Sequence, residues 1–148
     1  MMIATNDRVM RDGLSYRIDW HAYGFELVGT YDNGQTALQA LADIVPDLII
    51  SDVGMPVMDG LELAEQVQRH CPNAKMALLT SFDEFDYARR ASKYHIHDFI
   101  FKPVMMPDIR SLLSRIRQQL DERTLLITDH KAVDCNGSAH LTSKVTHD

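Results

Sequence analysis

Five short apolar runs divide the chain, and longer stretches with helical spacing separate them. The runs span residues 2–5, 25–29, 47–51, 75–80 and 98–101. Apolar runs of this length are typical of buried strands. Strands that alternate with helices and are apolar on both faces predict an α/β fold, a five-stranded doubly wound parallel sheet with helices on each side.

The stretches between these runs carry apolar residues every three or four positions, as amphipathic helices do. Their stripes are Val9, Met10, Leu14 and Ile18; Ala37, Leu38, Leu41 and Ile44; Leu61, Leu63, Ala64 and Val67; Tyr87, Ala88 and Ala91; Ile109, Leu112, Leu113, Ile116 and Leu120. Asp59 precedes the third stripe and is a candidate N-cap. These stripes predict five helices that cover the sheet.

Polar residues follow several of the predicted strands. Asp52 directly follows the third apolar run, "DLIIS", and Lys102 directly follows the fifth. Thr80 is the last residue of the fourth run, and the first run ends in residues 5–7 (Thr-Asn-Asp). Each alone has an ordinary interpretation as a cap, a turn residue or a solvated lysine. Because the carboxyl ends of parallel strands share one edge of a sheet, their joint placement predicts a polar functional site there.

Several motifs extend this pattern beyond the strand ends. They are Ile18-Asp19-Trp20, residues 24–29 (GFELVG), Met55-Pro56 with Met58-Asp59-Gly60, residues 82–88 (FDEFDYA), and Lys102-Pro103. With these motifs the chain resembles the receiver domain of two-component response regulators over residues 2–122. The similarity is strongest to receivers of AraC-type transcriptional regulators, and it implies the flavodoxin-like (βα)5 receiver fold.

The resemblance implies roles for four residues. Asp52 would accept the phosphoryl group, Thr80 would hold that group, Lys102 would pair with it, and Phe99 would be the aromatic residue whose rotamer follows the switch. The implied function is a phosphoaspartate switch that accepts phosphate from a sensor histidine kinase and controls partner or output-domain contacts in transcription regulation. The implied chemistry is limited to self-phosphorylation from a phosphodonor and autodephosphorylation, so the chain is not expected to be an enzyme.

The resemblance also implies a Mg²⁺ site, and here the sequence departs from the family. The family holds the ion with two consecutive acids at the end of the first strand, the phosphoacceptor, and the carbonyl two residues later, here Gly54. When Gly13-Leu14 is aligned with the family, the acidic pair falls on Thr5 and Asn6. At ~4 Å and an effective dielectric near 20, each lost charge removes roughly 4 kcal/mol of raw attraction for a monovalent cation.

A shift of the alignment by one residue makes Asn6-Asp7 the pair and keeps one acid. The candidate metal ligands are therefore Asn6, Asp7, Asp52 and Gly54, and binding of Mg²⁺ is expected to be weak or absent. Two hypotheses follow. The chain is a phosphoacceptor switch, or it is an atypical receiver that has lost or weakened Mg²⁺-dependent phosphorylation and acts as a phosphate-independent interaction module.

Composition limits the other functions. The 148 residues carry a formal charge of −6 and no basic cluster, so the chain itself is not expected to bind nucleic acid, although a missing DNA-binding output domain is compatible with it. The two cysteines form no CxxC motif, and neither a signal peptide nor a membrane span is evident, which predicts a reduced, cytoplasmic protein without membrane contact.

The remaining predictions concern domain limits and self-association. Residues 1–122 are predicted to form the receiver domain, and residues 123–148 a linker or partly disordered tail. Basic residues of the last helix could pair with acids of another copy in a symmetric homodimer. These residues are Arg110, Arg115 and Arg117, with Asp83, Glu84 and Asp86 as their candidate partners.

Overall fold

A computed structural model describes residues 1–91, 96–127, 132–133 and 139–140. Five parallel strands form one sheet with the order β2-β1-β3-β4-β5. The strands are β1 (Met2–Ala4), β2 (Gly29–Tyr31), β3 (Leu48–Asp52), β4 (Lys75–Thr80) and β5 (Asp98–Phe101). The predicted doubly wound α/β fold is confirmed.

Five α-helices cover the two faces of this sheet. They are α1 (Arg8–Tyr16), α2 (Gly34–Ala40), α3 (Gly60–His70), α4 (Phe82–Ala91) and α5 (Met106–Ile127), and a 3-10 helix (Trp20–Tyr23) follows α1. Two separate apolar clusters fill the space between helices and sheet, one on each face. Ile49 and Ile50, which are neighbours in β3, belong to opposite clusters because strand side chains alternate between faces.

The second strand lies later in the chain than the apolar run 25–29 predicts. Gly24 has a φ of 84° and ends the 3-10 helix, after which Phe25 donates its N–H to the carbonyl of Trp20 at 3.0 Å. Phe25 is therefore buried as a core residue and lies outside the sheet. The strand pairing with β1 covers Gly29–Tyr31, so the predicted position of β2 is wrong by several residues.

Two residues of the predicted helical stripes face solvent. Val9 is 83% exposed and Tyr87 is 54% exposed. Val9 is near the start of α1, where its neighbour Met10 and the buried Leu14 already contact the core. The period of the apolar pattern was therefore right for these helices, but these two residues lie away from the sheet.

Helix α5 continues through Glu122, the predicted end of the domain, and ends at Ile127. Beyond α5, which includes residues 123–127 of the predicted tail, the structure describes a pair of antiparallel two-residue strands, β6 (Ala132–Val133) and β7 (Ala139–His140). The remaining tail residues lie outside the described residues, so the division at 122 stays a prediction. Cys71 is disulfide-bonded, which contradicts the prediction that this cysteine is reduced, and Cys135 lies outside the described residues. Among the described helices, none has the length and apolar character of a membrane span.

Candidate phosphoacceptor site

Asp52 is the last residue of β3 and is only 4% exposed. Both of its carboxylate oxygens have a partner. The ammonium of Lys102 lies 2.6 Å from Oδ1, and the hydroxyl of Thr5 donates a hydrogen bond of 3.0 Å to Oδ2. A buried carboxylate needs such partners, because removing it from water without them costs several kcal/mol.

The sheet register brings these residues together. Asp52 is paired with Leu79 in the ladder between β3 and β4, so β4 ends with Thr80 beside the end of β3. Thr80 in turn is paired with Phe101, and its carbonyl accepts the N–H of Lys102 at 2.8 Å. The lysine is thus fixed one residue beyond β5, at the same edge as Asp52. The structure places Asp52, Thr80 and Lys102 together as predicted from the strand ends.

The loop after Asp52 folds back onto the end of β3. Gly60 donates its N–H to the carbonyl of Val53 at 2.8 Å, and a Cβ at Gly60 would lie 2.1 Å from the carbonyl oxygen of Asp52. No side chain fits in that space, so glycine is required for the close approach. The preceding Asp59 caps α3 with a capping box to Glu62, as expected from the sequence. This packing gives the backbone of Asp52 a fixed position.

The predicted switch residues, Thr80 and Phe99, have their side chains engaged with partners other than Asp52. Thr80 is fully buried, and its hydroxyl donates to the carbonyl of Ser81 at 3.0 Å. Phe99 is partly buried and packs edge-on against Phe85 of α4, with ring centroids 5.1 Å apart. Rotation of the Thr80 side chain toward Asp52 would therefore exchange one hydrogen bond for another.

One of the predicted metal ligands, Asp7, is engaged in capping α1. Asn6 and Asp7 are exposed, and the carboxylate of Asp7 accepts the N–H of Met10 at 3.1 Å as the N-cap of α1. No hydrogen bond or ion pair joins either residue to Asp52 in the part of the chain that the structure describes.

Thr5 lies between the exposed residues and Asp52, and all its polar atoms are engaged. Its hydroxyl donates to Asp52 and accepts the N–H of Asp7 at 3.1 Å, and its N–H donates to the carbonyl of Tyr31 at 2.9 Å. Mg²⁺ prefers carboxylate and phosphate oxygens, and a hydroxyl that already serves a neighbouring carboxylate is a poor ligand for it. Among the described residues no three His, Cys, Asp or Glu side chains are grouped to hold a metal. The residues present do not fit the magnesium ion that the family implies.

Two charged residues that lie at the site were not predicted from the sequence to be part of it. Arg11 donates from Nη1 to the carbonyl of Thr5 at 2.7 Å. Side chains of a helix lean toward its N-terminus, and Arg11 is one turn after the N-cap Asp7, so its position could have been anticipated once α1 was placed.

The second missed residue is Glu84 in the first turn of α4. Its Oε2 lies 3.1 Å from the position of a Cβ at Gly54, while its Oε1 accepts from the hydroxyl and N–H of Ser81, each at 3.3 Å. The spacing Ser81-x-x-Glu84 is the sequence signal of a capping box. That signal indicates the cap, but only the fold shows that the carboxylate lies over Gly54.

Comparison with known proteins agrees with this geometry. The family model described as the response regulator receiver domain matches residues 1–117. The transcriptional regulatory protein YesN of Bacillus subtilis (strain 168) is 33% identical over 147 residues, which is 99% of this chain and 38% of that protein. The transcriptional regulatory protein HptR of Staphylococcus aureus (strain NCTC 8325 / PS 47) is 28% identical over 123 residues, which is 83% of this chain and 48% of that protein. The chain thus spans less than half the length of these two relatives.

Solved structures give the same result. The receiver domain of AraT, a response regulator from Geobacillus stearothermophilus, superposes with a TM-score of 0.77 at 31% identity and covers 83% of this chain and 95% of that one. A two-component transcriptional regulator AraC from Clostridium phytofermentans ISDg has a TM-score of 0.76 at 26% identity, covering 83% of this chain and 95% of that one. With its sheet order and its buried aspartate at the end of β3, this chain belongs to the response regulator receiver domain family.

Proposed function

We propose that Asp52 is the phosphoacceptor of this receiver domain and that its phosphorylation controls contacts with a partner or an output domain. Receiver domains are signalling modules that interact with histidine kinases. The observation that carries the proposal is the burial of Asp52 together with the 2.6 Å ion pair to Lys102. A buried acid at a strand end with a cation beside it is suited to gain a charged group without leaving the cation unpaired.

The transfer proceeds by in-line attack. A carboxylate oxygen of Asp52 forms a bond to the phosphorus of a phosphohistidine, and the P–N bond breaks. The imidazole nitrogen keeps the electron pair and takes a proton from water. Lys102 moves from the carboxylate to a phosphoryl oxygen, and the hydroxyl of Thr80 turns from Ser81 to another phosphoryl oxygen. These movements couple the phosphoryl group to β4 and β5.

In this proposal, an aromatic cluster between α4 and β5 transmits the change at Asp52 to the protein surface. Its members are Phe82, Phe85, Phe99 and Phe101. Phe82 stacks on Phe101 with centroids 4.7 Å apart, and Phe85 lies 4.9 Å from Phe101 and 5.1 Å from Phe99. Phe82 is 78% exposed, so a change in the packing of this cluster would alter the surface that a partner contacts. Rotation of Phe99 after movement of Thr80 would change the surface formed by α4 and β5.

The proposal includes a homodimer that forms through this surface and α5. Some of the charged residues predicted to form this interface are already paired within one chain. Arg115 pairs with Asp98 through Nε at 2.8 Å, and Arg117 pairs with Asp121 at 3.6 Å within the same chain. Arg110 and Asp83 are exposed and are better candidates for contacts between copies. Light scattering after size-exclusion chromatography, with and without phosphodonor, tests this point.

The site of kinase contact is proposed at an apolar groove next to Lys102. The groove has a volume of about 370 Å³ and lies between α1 and the start of α5. Its lining includes Met10, Leu14, Val104 and Met105, and Met105 is 56% exposed. A Met105→Glu variant should slow transfer from a phosphorylated histidine kinase domain and leave phosphorylation by acetyl phosphate unchanged. Equal slowing with both donors would place the effect in the reaction site and contradict the docking role.

A role in the regulation of transcription is proposed because YesN and HptR are transcriptional regulatory proteins. It is a proposal because the chain matches less than half of the length of either protein. The sequence has a formal charge of −6 and no cluster of basic residues that would favour DNA binding, and a cytoplasmic location is proposed from the family alone. The alternative, a phosphate-independent interaction module, is not favoured by the family match.

Intact mass spectrometry after incubation with acetyl phosphate tests the proposal. The wild-type chain should gain one phosphoryl group, and Asp52→Asn, which keeps the shape of the side chain, should gain none. Equal gain in both proteins would place the reaction elsewhere. No gain in the wild-type chain with or without Mg²⁺, while its circular dichroism shows a folded protein, would leave the binding module as the function.

A further inference from the structure

We infer that this site works without a divalent metal and that Arg11, together with Thr5, supplies what the metal and its acids supply in other receivers. This inference rests on the proposed phosphorylation of Asp52. It starts from the donor set described above: the carboxylate of Asp52 already faces Lys102 and Thr5, and no group of three acidic, His or Cys side chains surrounds it among the described residues.

The first observation is the position of Arg11. Its guanidinium donates to the carbonyl of Thr5, and the hydroxyl of the same threonine donates to Asp52. Thr5 therefore links the guanidinium of Arg11 to the carboxylate of Asp52 through two hydrogen bonds. In the described residues no carboxylate lies within ion-pairing distance of Arg11, although Arg8 on the same helix pairs with Asp12 at 3.9 Å. The positive charge of Arg11 is thus not neutralised by a partner of its own.

The second observation is the charge balance around Asp52. The unmodified carboxylate carries one negative charge and faces the ammonium of Lys102. An acyl phosphate carries about two negative charges at neutral pH. One lysine balances the site before the reaction, and a second cation is needed afterwards. Arg11 provides it from the β1 side, where a typical receiver holds its metal.

Two other acids lie on elements next to the site, and neither neutralises Arg11. Asp7 is exposed to water and directs its carboxylate to the N-terminus of α1. Glu84 shares its carboxylate with Ser81 and approaches the backbone at Gly54. Both carboxylates are bound within caps of helices, where the helix dipole and N–H groups offset part of their charge.

Thr5 acts as a positioning residue in this arrangement. It is fully buried, and its hydroxyl holds the Oδ2 of Asp52, which leaves Oδ1 directed at Lys102. Aspartate at this position would place a second carboxylate about 3 Å from the first, and two such carboxylates do not both ionise without a cation between them. Threonine is therefore compatible with a metal-free site, and the acids of the family are compatible with a metal-bound one.

The test measures the rate of phosphorylation by acetyl phosphate in the presence of EDTA, using intact mass spectrometry on the full chain. The wild-type chain should react. Arg11→Gln, which keeps a hydrogen-bond donor and removes the charge, should react at least about tenfold more slowly. Arg11→Lys, which restores the charge, should recover most of the rate. A purely structural role for Arg11 would give two variants with equal rates and lowered melting temperatures.

The complementary variant restores the acids of the family. Thr5→Asp with Asn6→Asp should bind Mn²⁺, measured by loss of the free-ion electron paramagnetic resonance signal, and should need a divalent metal to react. The wild-type chain should leave the Mn²⁺ signal unchanged. Reaction of the wild-type chain only with added metal, or an Arg11→Gln rate equal to wild type, would overturn this inference alone. No reaction under any condition would overturn the proposed function and the inference with it.

Discussion

The two sides of Asp52 differ in how they match the receiver family. On the β4–β5 side, Thr80 and Lys102 occupy the strand ends that the family uses, and Lys102 is within 2.6 Å of the carboxylate. On the β1 side, Thr5 donates its hydroxyl to Asp52, and Arg11 donates to the carbonyl of Thr5 at the same strand end. One side has the residues to which the family resemblance gives phosphate-binding roles, and the other has hydrogen bonds and a guanidinium. If the inference drawn above is right, charge compensation rather than the metal itself is the requirement that the site must satisfy.

The largest effect on the rate of phosphorylation is expected from substitution of Lys102. Lys102→Ala removes the only cation in contact with Asp52 among the described residues, and phosphorylation by acetyl phosphate should slow by at least about 10²-fold. Rates from intact mass spectrometry measure this. Lys102→Arg keeps the charge and serves as the matched control, which should lose less. A rate that is insensitive to both substitutions would show that the β4–β5 side does not stabilise the reaction.

A smaller effect, on stability, is expected at Thr5. Thr5→Val keeps the shape of the side chain but removes the hydroxyl that serves Asp52 and the N–H of Asp7. Buried groups left without a partner cost about 1–3 kcal/mol, so the free energy of unfolding measured with urea should fall by this amount. Thr5→Ser keeps the hydroxyl and should stay much closer to wild type. If Val and Ser lower the stability equally, the hydroxyl has no role and the loss comes from packing.

The smallest effect is expected at Asp7, and it separates a cap from a metal ligand. Asp7→Ala removes the N-cap of α1, which typically costs about 1 kcal/mol of stability. Asp7→Ser retains a capping oxygen and should restore most of that loss in urea unfolding. Neither variant should change how the phosphorylation rate responds to Mg²⁺. A loss of Mg²⁺ response in both variants, relative to a responsive wild type, would identify Asp7 as a metal ligand.

Much of the fold followed from the sequence because its signals are local. Apolar runs located four of the five strands, and the Asp59 cap located the start of α3. The position of β2 was missed because the apolar Phe25 packs into the core after a turn at Gly24, and periodicity alone does not distinguish a core loop from a strand.

The candidate site was only partly predictable for a similar reason. Asp52, Thr80 and Lys102 follow directly from strand ends, since parallel strands end at one edge. The contacts of Arg11 and Glu84 come from helices, and their side chains reach the site only through the packing of α1 and α4 on the sheet. The sequence indicates that at least one acid of the family's pair is absent, but the contact between the Thr5 hydroxyl and Asp52 depends on the fold.

The most direct test of this account is the initial rate of Asp52 phosphorylation by acetyl phosphate as a function of Mg²⁺, from a chelated solution to millimolar concentrations, with Asp52→Asn as the blank. We expect a measurable rate in the chelated solution and no saturable rise as Mg²⁺ is added. A rate that is absent without Mg²⁺ and rises to saturation would show that the β1 side still holds the ion, and it would contradict the role assigned here to Arg11 and Thr5.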